Sequence, residues 1–532
     1  MRETETPSSF EKIGTDIFET IARYFPVAAA SDEFYYFPQV QPQKRQWHIW
    51  DLFSTDAVEA AGKELLAGEA GLEKLTHNKE QLPRIDPGTR IDISLLHRVT
   101  RTLIDQLIKV RAWESQPTWH LTIACIGLAE AIESEDPAAG HHRAEGLADY
   151  LDQAGRALKN VPALFRELGL EMVAGTRKYF LLLKPGLPEL KYALSALDRF
   201  EETLRHISPR SNFLLPRKLV RLIVHSHLNC CTDLEELENI LDKEIQEMRR
   251  FIATINGQQV SGSALEAAIS AIPHPRIGAG GLLELYREEV ERLGRHCLEK
   301  RLVSSELYRS CPVRVQPVPS FLSATRTASS YSIPPGHPPT GGMFYVINTD
   351  RREESGKGYQ REYKILSAHE TYPGHHLLDI HRWSLKRPFR RAVELPVFYE
   401  GWACFSEEIM RLTGYFKAPH ERLLLARRRL WRAIRGKIDL GLQTGSMGLA
   451  EAARYLVDSG VPDKDAKSIA RKYPLNPGYQ LCYTVGIRRF LDFFDRWGRK
   501  NLQRFVMTVL TQGEIGFDNL EKVLEQDMGN HE

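Results

Sequence analysis

An excess of charge of either sign is the first thing this chain lacks: its 532 residues carry 71 Lys+Arg against 69 Asp+Glu, a net charge of +2. Without a basic surplus there is no whole-chain footprint for a polyanion, so nucleic acid is not an expected partner. Cysteine is scarce as well. Seven are present, only Cys230 and Cys231 are neighbours, and no C-x-x-C spacing occurs, which excludes cysteine-based zinc sites and thioredoxin-like motifs. They read as reduced, buried thiols of a cytoplasmic protein. Long apolar runs are missing too. No stretch approaches the roughly 18 apolar residues of a membrane span, and the longest, such as Leu121 to Ala129, suit buried helices. The opening MRETETPSSFEKIGTDIFET mixes charges and has no apolar core of a secretory signal. The chain has no internal repeat and no low-complexity segment. With 42% apolar and 26% charged residues its composition is that of a folded globular protein, so a soluble cytoplasmic protein with no membrane partner is expected.

What is present is helical periodicity. Apolar residues recur three and four apart over Asp56–Leu75, Ser94–Glu114, Thr118–Ser134, Ala144–Ala157, Pro188–Ile207, Thr232–Ile255 and Gly281–Glu299, which predicts a mostly α fold, a large multi-helix bundle. The texture changes between about Cys311 and Lys357, where seven prolines, together with Gly336, Gly341 and Gly342, exclude a continuous helix. Within that stretch Met343–Asn348 is aromatic and β-branched, the best strand candidate in the chain. Helical pattern resumes near Tyr363. The shift divides the chain into a scaffold lobe, 1–305, and a catalytic lobe, 306–532, read together as one continuous body enclosing an active-site groove.

Histidine is the unevenly placed residue: His369, His375, His376 and His381 fall within thirteen positions. They include the string HETYPGHH, His369 to His376. A His-Glu pair on a helix is half of the zinc-protease pattern, in which the first His binds metal and the Glu is a general base. The second ligand normally follows one turn later, but that position is Pro373. On an unbroken helix His375 would sit roughly 120° around from His369, and His376 about 10 Å along the axis. Neither could then share an ion with His369. Pro373 removes a helical hydrogen bond and Gly374 tolerates unusual dihedrals, so the helix is expected to bulge there by about two residues and bring His375 onto the ligand face; His376 is the alternative. A third protein ligand is needed, leaving the fourth position open. Glu400 and Glu407, two turns apart on the next helix, supply it, one binding metal and the other orienting a ligand histidine.

The string HExxPGHH, the segment Glu400-Gly401-Trp402-Ala403, the preceding strand GMFYVIN and the later PGYQLCYTVG, Pro477 to Gly486, together resemble the bacterial DUF885 family, a group of helical, largely uncharacterised zinc metallopeptidases, and are similar to gluzincin-like peptidases. The resemblance implies a single Zn²⁺ held by His369, His375 and Glu400, with Glu370 as general base, Glu407 or His376 behind or in place of a ligand, and Tyr483 as oxyanion donor, with Tyr479 and Tyr372 as competitors. It implies a peptide substrate, with Tyr345 on an edge strand onto which peptide backbone adds and Tyr479 and Arg488 also contacting substrate. Leu378, where the family usually has Gln, and Cys404-Phe405, where Leu-Tyr is commoner, depart from the pattern and loosen any transfer of substrate preference. The run Arg427, Arg428, Arg429, Arg432 and Arg435 reads as a solvated face of an amphipathic helix, although one of these arginines, or Arg488, could bind a substrate carboxylate. The expected function is therefore a zinc metallopeptidase. The alternatives are a zinc hydrolase of a small non-peptide amide and a non-catalytic helical protein with a structural metal.

Overall fold

A computed structural model describes residues 9–40, 45–77, 85–256, 262–278, 281–318, 329–347, 360–459 and 461–529. The first eight residues of the charged start and Asn348 at the end of the strand candidate lie outside them. The fold is mostly α-helical with one small sheet. No described helix is long and apolar enough to cross a membrane. All seven cysteines are free thiols.

The chain forms two compact units: Met1–Phe213 with Pro319–Thr327 and Arg387–Glu394, and Leu214–Val318 with Ala328–Lys386 and Leu395–Glu532. The compositional change near 305 falls inside the second. The first unit is built from α1 (Ser9–Tyr24), α2 (Thr55–His77), α3 (Pro87–Asp105), α4 (Pro117–Glu133), α5 (Ala139–Ala157), α6 (Ala163–Leu183) and α7 (Leu190–His206). Local chemistry sets the boundaries. At the start of α3 the Asp86 side chain accepts the Thr89 amide at 3.0 Å and Pro87 takes the first turn, where its missing N–H costs nothing. The apolar stripe of α1, with Phe10, Ile17 and Ile21 buried, is the face an amphipathic helix turns inward.

The second unit holds the functional region. Among its helices are α8 (Leu234–Asn256), α9 (Gly281–Glu299), α10 (Tyr363–Glu370), α11 (His375–Ser384), α12 (Pro396–Leu412), α13 (Pro419–Thr444) and α14 (Leu481–Phe493). Helix α12 is buried on nearly every side, from Pro396 through Met410 with only Tyr399 partly open, so it is the central rod of this unit. Helix α13 starts at Pro419, with the Glu421 carboxylate accepting the Ala418 amide at 3.0 Å, and stops at Gly445, whose φ of 74° suits glycine. Three strands, β1 (Val313–Pro317), β2 (Ser330–Ser332) and β3 (Gly342–Val346), make a sheet in the order β1-β3-β2. The strand candidate is thus real, but its expected place at an edge is corrected. β3 is central, with Tyr345 opposite Gln316 of parallel β1 and Ser330 of antiparallel β2. The reason is visible in its residues: Phe344, Tyr345 and Val346 are all buried, and a strand buried this way is paired on both sides, leaving no free ladder for a substrate backbone.

Candidate metal centre

The string HETYPGHH breaks the helix completely instead of bulging it. α10 ends at Glu370, the chain turns through Thr371 and a cis Tyr372–Pro373 bond, and α11 begins at His375. Proline lacks the amide that a continuing helix needs, and Gly374 closes the turn by donating to the Ala368 carbonyl at 3.1 Å. A Cβ at Gly374 would lie 1.8 Å from the His369 carbonyl oxygen, so only glycine fits. The turn is pinned from α12 by Trp402, whose indole N–H donates to the Pro373 carbonyl at 3.0 Å. Its outcome is that the rings of His369 and His375 meet at 4.8 Å, nearly perpendicular.

Helix α12 delivers the third group. Its crossing with α14 brings backbone against backbone at two glycines: a Cβ on Gly401 would be 2.5 Å from the Gly486 Cα, and one on Gly486 would be 2.2 Å from the Val397 carbonyl oxygen. This close approach packs Glu400-Gly401-Trp402 against Thr484-Val485-Gly486. It sets Glu400 beside the Tyr479 hydroxyl, which donates to Oε1 at 2.9 Å. The other oxygen, Oε2, is buried and receives no hydrogen bond among the described residues. It lies 3.5 Å from Nε2 of His369 and 3.6 Å from Nε2 of His375. These separations are long for hydrogen bonds. They are close to the roughly 3.3 Å edge of a tetrahedron with zinc–ligand bonds of about 2.0–2.1 Å. His369, His375 and Glu400, all buried, could therefore hold a metal ion. An orphaned carboxylate oxygen between two imidazole nitrogens is the donor set that fits one.

The surroundings fix each ligand from behind. Nδ1 of His369 meets Glu407 Oε1 at 3.1 Å, an arrangement in which a carboxylate accepts the ring N–H and leaves Nε2 as the lone pair. Burial alone would raise the Glu407 carboxyl, but Arg432 and Arg428 override it and hold it far below the ordinary carboxylate range. Arg432 grips both Glu407 oxygens, at 2.6 and 2.9 Å. His375 is oriented differently. Tyr399 stacks on its ring at 4.0 Å, and its Nδ1 has no hydrogen-bond partner among the described residues. His376 points the other way. Its Nδ1 accepts from the Tyr331 hydroxyl at 2.9 Å and its Nε2 donates to the Cys311 carbonyl at 3.0 Å. Burial pushes its pKa down to about 3 despite that carbonyl. Both nitrogens being used, His376 is a structural histidine.

The arginine run departs from the expected solvated face. Arg428 and Arg432 are buried. Arg427 and Arg428 bind Glu362, and Arg429 bridges Glu244 and Glu408. The stripe is amphipathic, but the polar side faces other helices. Buried carboxylates on those helices, spread through the sequence, are what draw guanidinium groups inward. Arg488, expected at the substrate, is instead held by Glu244 and Glu247. Tyr372 is buried, its hydroxyl 3.1 Å from His376 Nε2.

Glu370 closes α10 next to His369. Burial raises its carboxyl, His369 and His375 draw it down, and Glu400 raises it again, so its charge is felt by all three residues of the cluster. It makes no hydrogen bond or ion pair among the described residues. Tyr483 is half-buried on α14. Its phenol is pushed well above the usual value by burial and by Glu400. Sequence reasoning named His369, His375 and Glu400, which the structure brings together, but missed Trp402, Gly401, Gly486 and Tyr399, which position them. The EGWA and TVG strings carried that signal as two glycines flanking site residues.

Residues 183–524, well over half of the chain, match the family described as bacterial protein of unknown function, DUF885. The chain belongs to the DUF885 family. No curated protein matches it. Two solved structures share its fold over nearly the whole length: a candidate lipoprotein from Colwellia psychrerythraea at 16% identity and a TM-score of 0.79, covering 98% of this chain and 99% of that one, and a candidate lipoprotein of unknown function from Shewanella oneidensis at 15% identity and a TM-score of 0.74, covering 97% and 100%. At these identities the likeness is one of fold. All the residues described above as the metal centre lie inside the DUF885 match.

Proposed function

We propose that this DUF885 protein is a zinc-dependent hydrolase of peptide bonds, with His369, His375 and Glu400 as the metal ligands. The observation that carries the reading is the Glu400 oxygen left without a donor 3.5 and 3.6 Å from two imidazole nitrogens, with the buried, unpaired carboxylate of Glu370 next in sequence to His369. A structural metal has no use for such a carboxylate. When bound, zinc would supply a Lewis acid and lower the pKa of water toward about 7.

The chain's own residues do the rest. Glu370 takes a proton from the attacking water and returns it to the departing amine. Tyr479 fixes Glu400 through Oε1, leaving Oε2 for the ion. The Tyr483 phenol, kept neutral by burial, donates to the oxygen that gains charge at the carbonyl. Glu407 and Arg432 keep His369 in one tautomer. Purified protein should contain about one zinc per chain. Incubation with a mixed peptide library, followed by mass spectrometry, should show cleavage that Glu370→Gln abolishes while retaining the metal. Absence of zinc, or full-rate cleavage by that variant, would sink the reading.

A further inference from the structure

We infer that Arg435 binds a free carboxylate of the substrate, which makes the enzyme one that cuts next to the C-terminal end of short peptides. The inference rests on the peptidase reading above and narrows its substrate class. It begins from a difference among the arginines of α13. Arg427, Arg428, Arg429 and Arg432 each meet a carboxylate, and Arg488 across from them meets two. Arg435 meets none among the described residues. Its guanidinium bonds the neutral Gln480 side chain through Nη2, while Nε is buried with no partner. Asp439, one turn along, accepts the Gln480 amide at 3.0 Å and a Gln443 side-chain N–H at 3.4 Å.

What holds Arg435 is aromatic. Its guanidinium lies 4.4 Å from the Trp431 ring, 5.0 Å from Tyr483 and 6.0 Å from Tyr473. Rings fix the plane of a guanidinium without neutralising it. The group is also close to the metal centre: Tyr483 touches it from one side and feels Glu400 on the other, and Gln480 follows Tyr479, which bonds Glu400. Arg435, Trp431, Tyr479, Gln480, Tyr483 and Tyr399 are all partly open to solvent, whereas His369, His375 and Glu400 are buried. A planar cation that feels Glu400 and Asp439 but holds neither in an ion pair suits bidentate recognition of a carboxylate.

The test uses zinc-loaded wild type, Arg435→Gln and Arg435→Lys against one mixed peptide library in two forms, free C-terminal acids and C-terminal amides. Wild type should cleave the acids about 30- to 100-fold faster, the usual worth of a charge-assisted bond. Arg435→Gln should reduce the ratio of acid to amide cleavage to about one, and Arg435→Lys should recover part of the difference. Equilibrium dialysis of both libraries against Glu370→Gln supplies a readout without turnover: acids retained, amides not, and retention lost in the Glu370→Gln/Arg435→Gln double variant. Equal cleavage of both forms by wild type, or discrimination that survives Arg435→Gln, overturns the role of Arg435 and leaves the peptidase reading standing. If neither form is cleaved, the peptidase reading falls, and dialysis alone decides whether Arg435 selects carboxylates.

Discussion

Among the described residues, two clusters bring histidine and glutamate atoms within 4.8 Å of one another: His369, His375 and Glu400 in the second unit, and Glu69, Glu73 and His97 in the first. In the first unit, Glu69 is buried but Glu73 is exposed and His97 half-open. The guanidinium of Arg101 sits directly on Glu69 Oε1, so the oxygen that would bind an ion already carries its positive charge. In the second unit the arginine is one residue further back. Arg432 is spent on Glu407, and Glu407 on the far side of His369, so Glu400 Oε2 stays unclaimed. Equal proximity therefore yields a surface ion-pair group in one place and a prepared site in the other. What differs is which carboxylate the arginine reaches.

The largest effect that could break this contrast is loss of metal. Removing one of three ligands forfeits about a third of a binding free energy of roughly 10–16 kcal/mol, so His375→Ala or Glu400→Gln should weaken zinc binding about a thousand-fold or more. His97→Ala should leave the zinc content of purified protein unchanged. Metal analysis of the three variants decides it, and zinc lost with His97 would overturn the contrast.

Backbone approach gives the next effect. Gly401→Ala places a methyl 2.5 Å from Gly486, where both neighbours are backbone and cannot swing aside. Forced separation of α12 and α14 should cost about 1–3 kcal/mol and lower zinc content as Glu400 moves. Gly71→Ala, on α2 between Glu69 and Glu73, meets only the flexible end of Ile13 at 3.0 Å and gains helix propensity worth about 1 kcal/mol. Chemical unfolding should find it near neutral or slightly stabilising. One turn of second-unit support is tested by Glu407→Gln, which should cut zinc affinity about 10- to 100-fold, whereas Arg101→Gln should leave it alone. Competition with a zinc chelator measures both.

Much of the candidate site was legible because its three residues lie in one short string and one helix downstream. Spacing identified Pro373 as the misfit in HETYPGHH and the glycine behind it as the relief. The break itself was not legible as a break: it depends on Trp402 reaching Pro373 from another helix, a tertiary contact with no local trace. The same holds for the arginines of α13. Their amphipathic stripe was correct, but the partners Glu244, Glu362 and Glu407 are far away in sequence, so a buried polar face read as a wet one. Helix α6 escaped the periodicity reading because Gly169 and Gly175 interrupt it; Pro117 packs where a Cβ on Gly169 would be, so this glycine serves packing. The strand GMFYVIN was legible in composition, but its neighbours β1 and β2 were not, and hence neither was its central position.

The finest form of the contrast is between neighbours. His375 offers a free Nε2 toward Glu400, whereas His376 has both nitrogens in use, and pH separates them. The folded pKa of His376, about 3, lies below the ordinary histidine value of 6.5 because of burial. Its contribution to stability is therefore complete above pH 6.5 and is lost as pH falls toward 3, since the unfolded chain binds the proton first. His376→Gln should cost about 1–3 kcal/mol at pH 7.5 through the Tyr331 and Cys311 bonds. That cost should shrink by up to about 1.4 kcal/mol per pH unit below 6.5, because the variant has no proton to take up there. Urea unfolding of wild type and variant at pH 7.5, 6 and 5 reads the difference directly. A gap that stays constant with pH would mean that His376 is not held neutral, and a gap accompanied by zinc loss at pH 7.5 would mean that it is not merely the neighbour of a ligand.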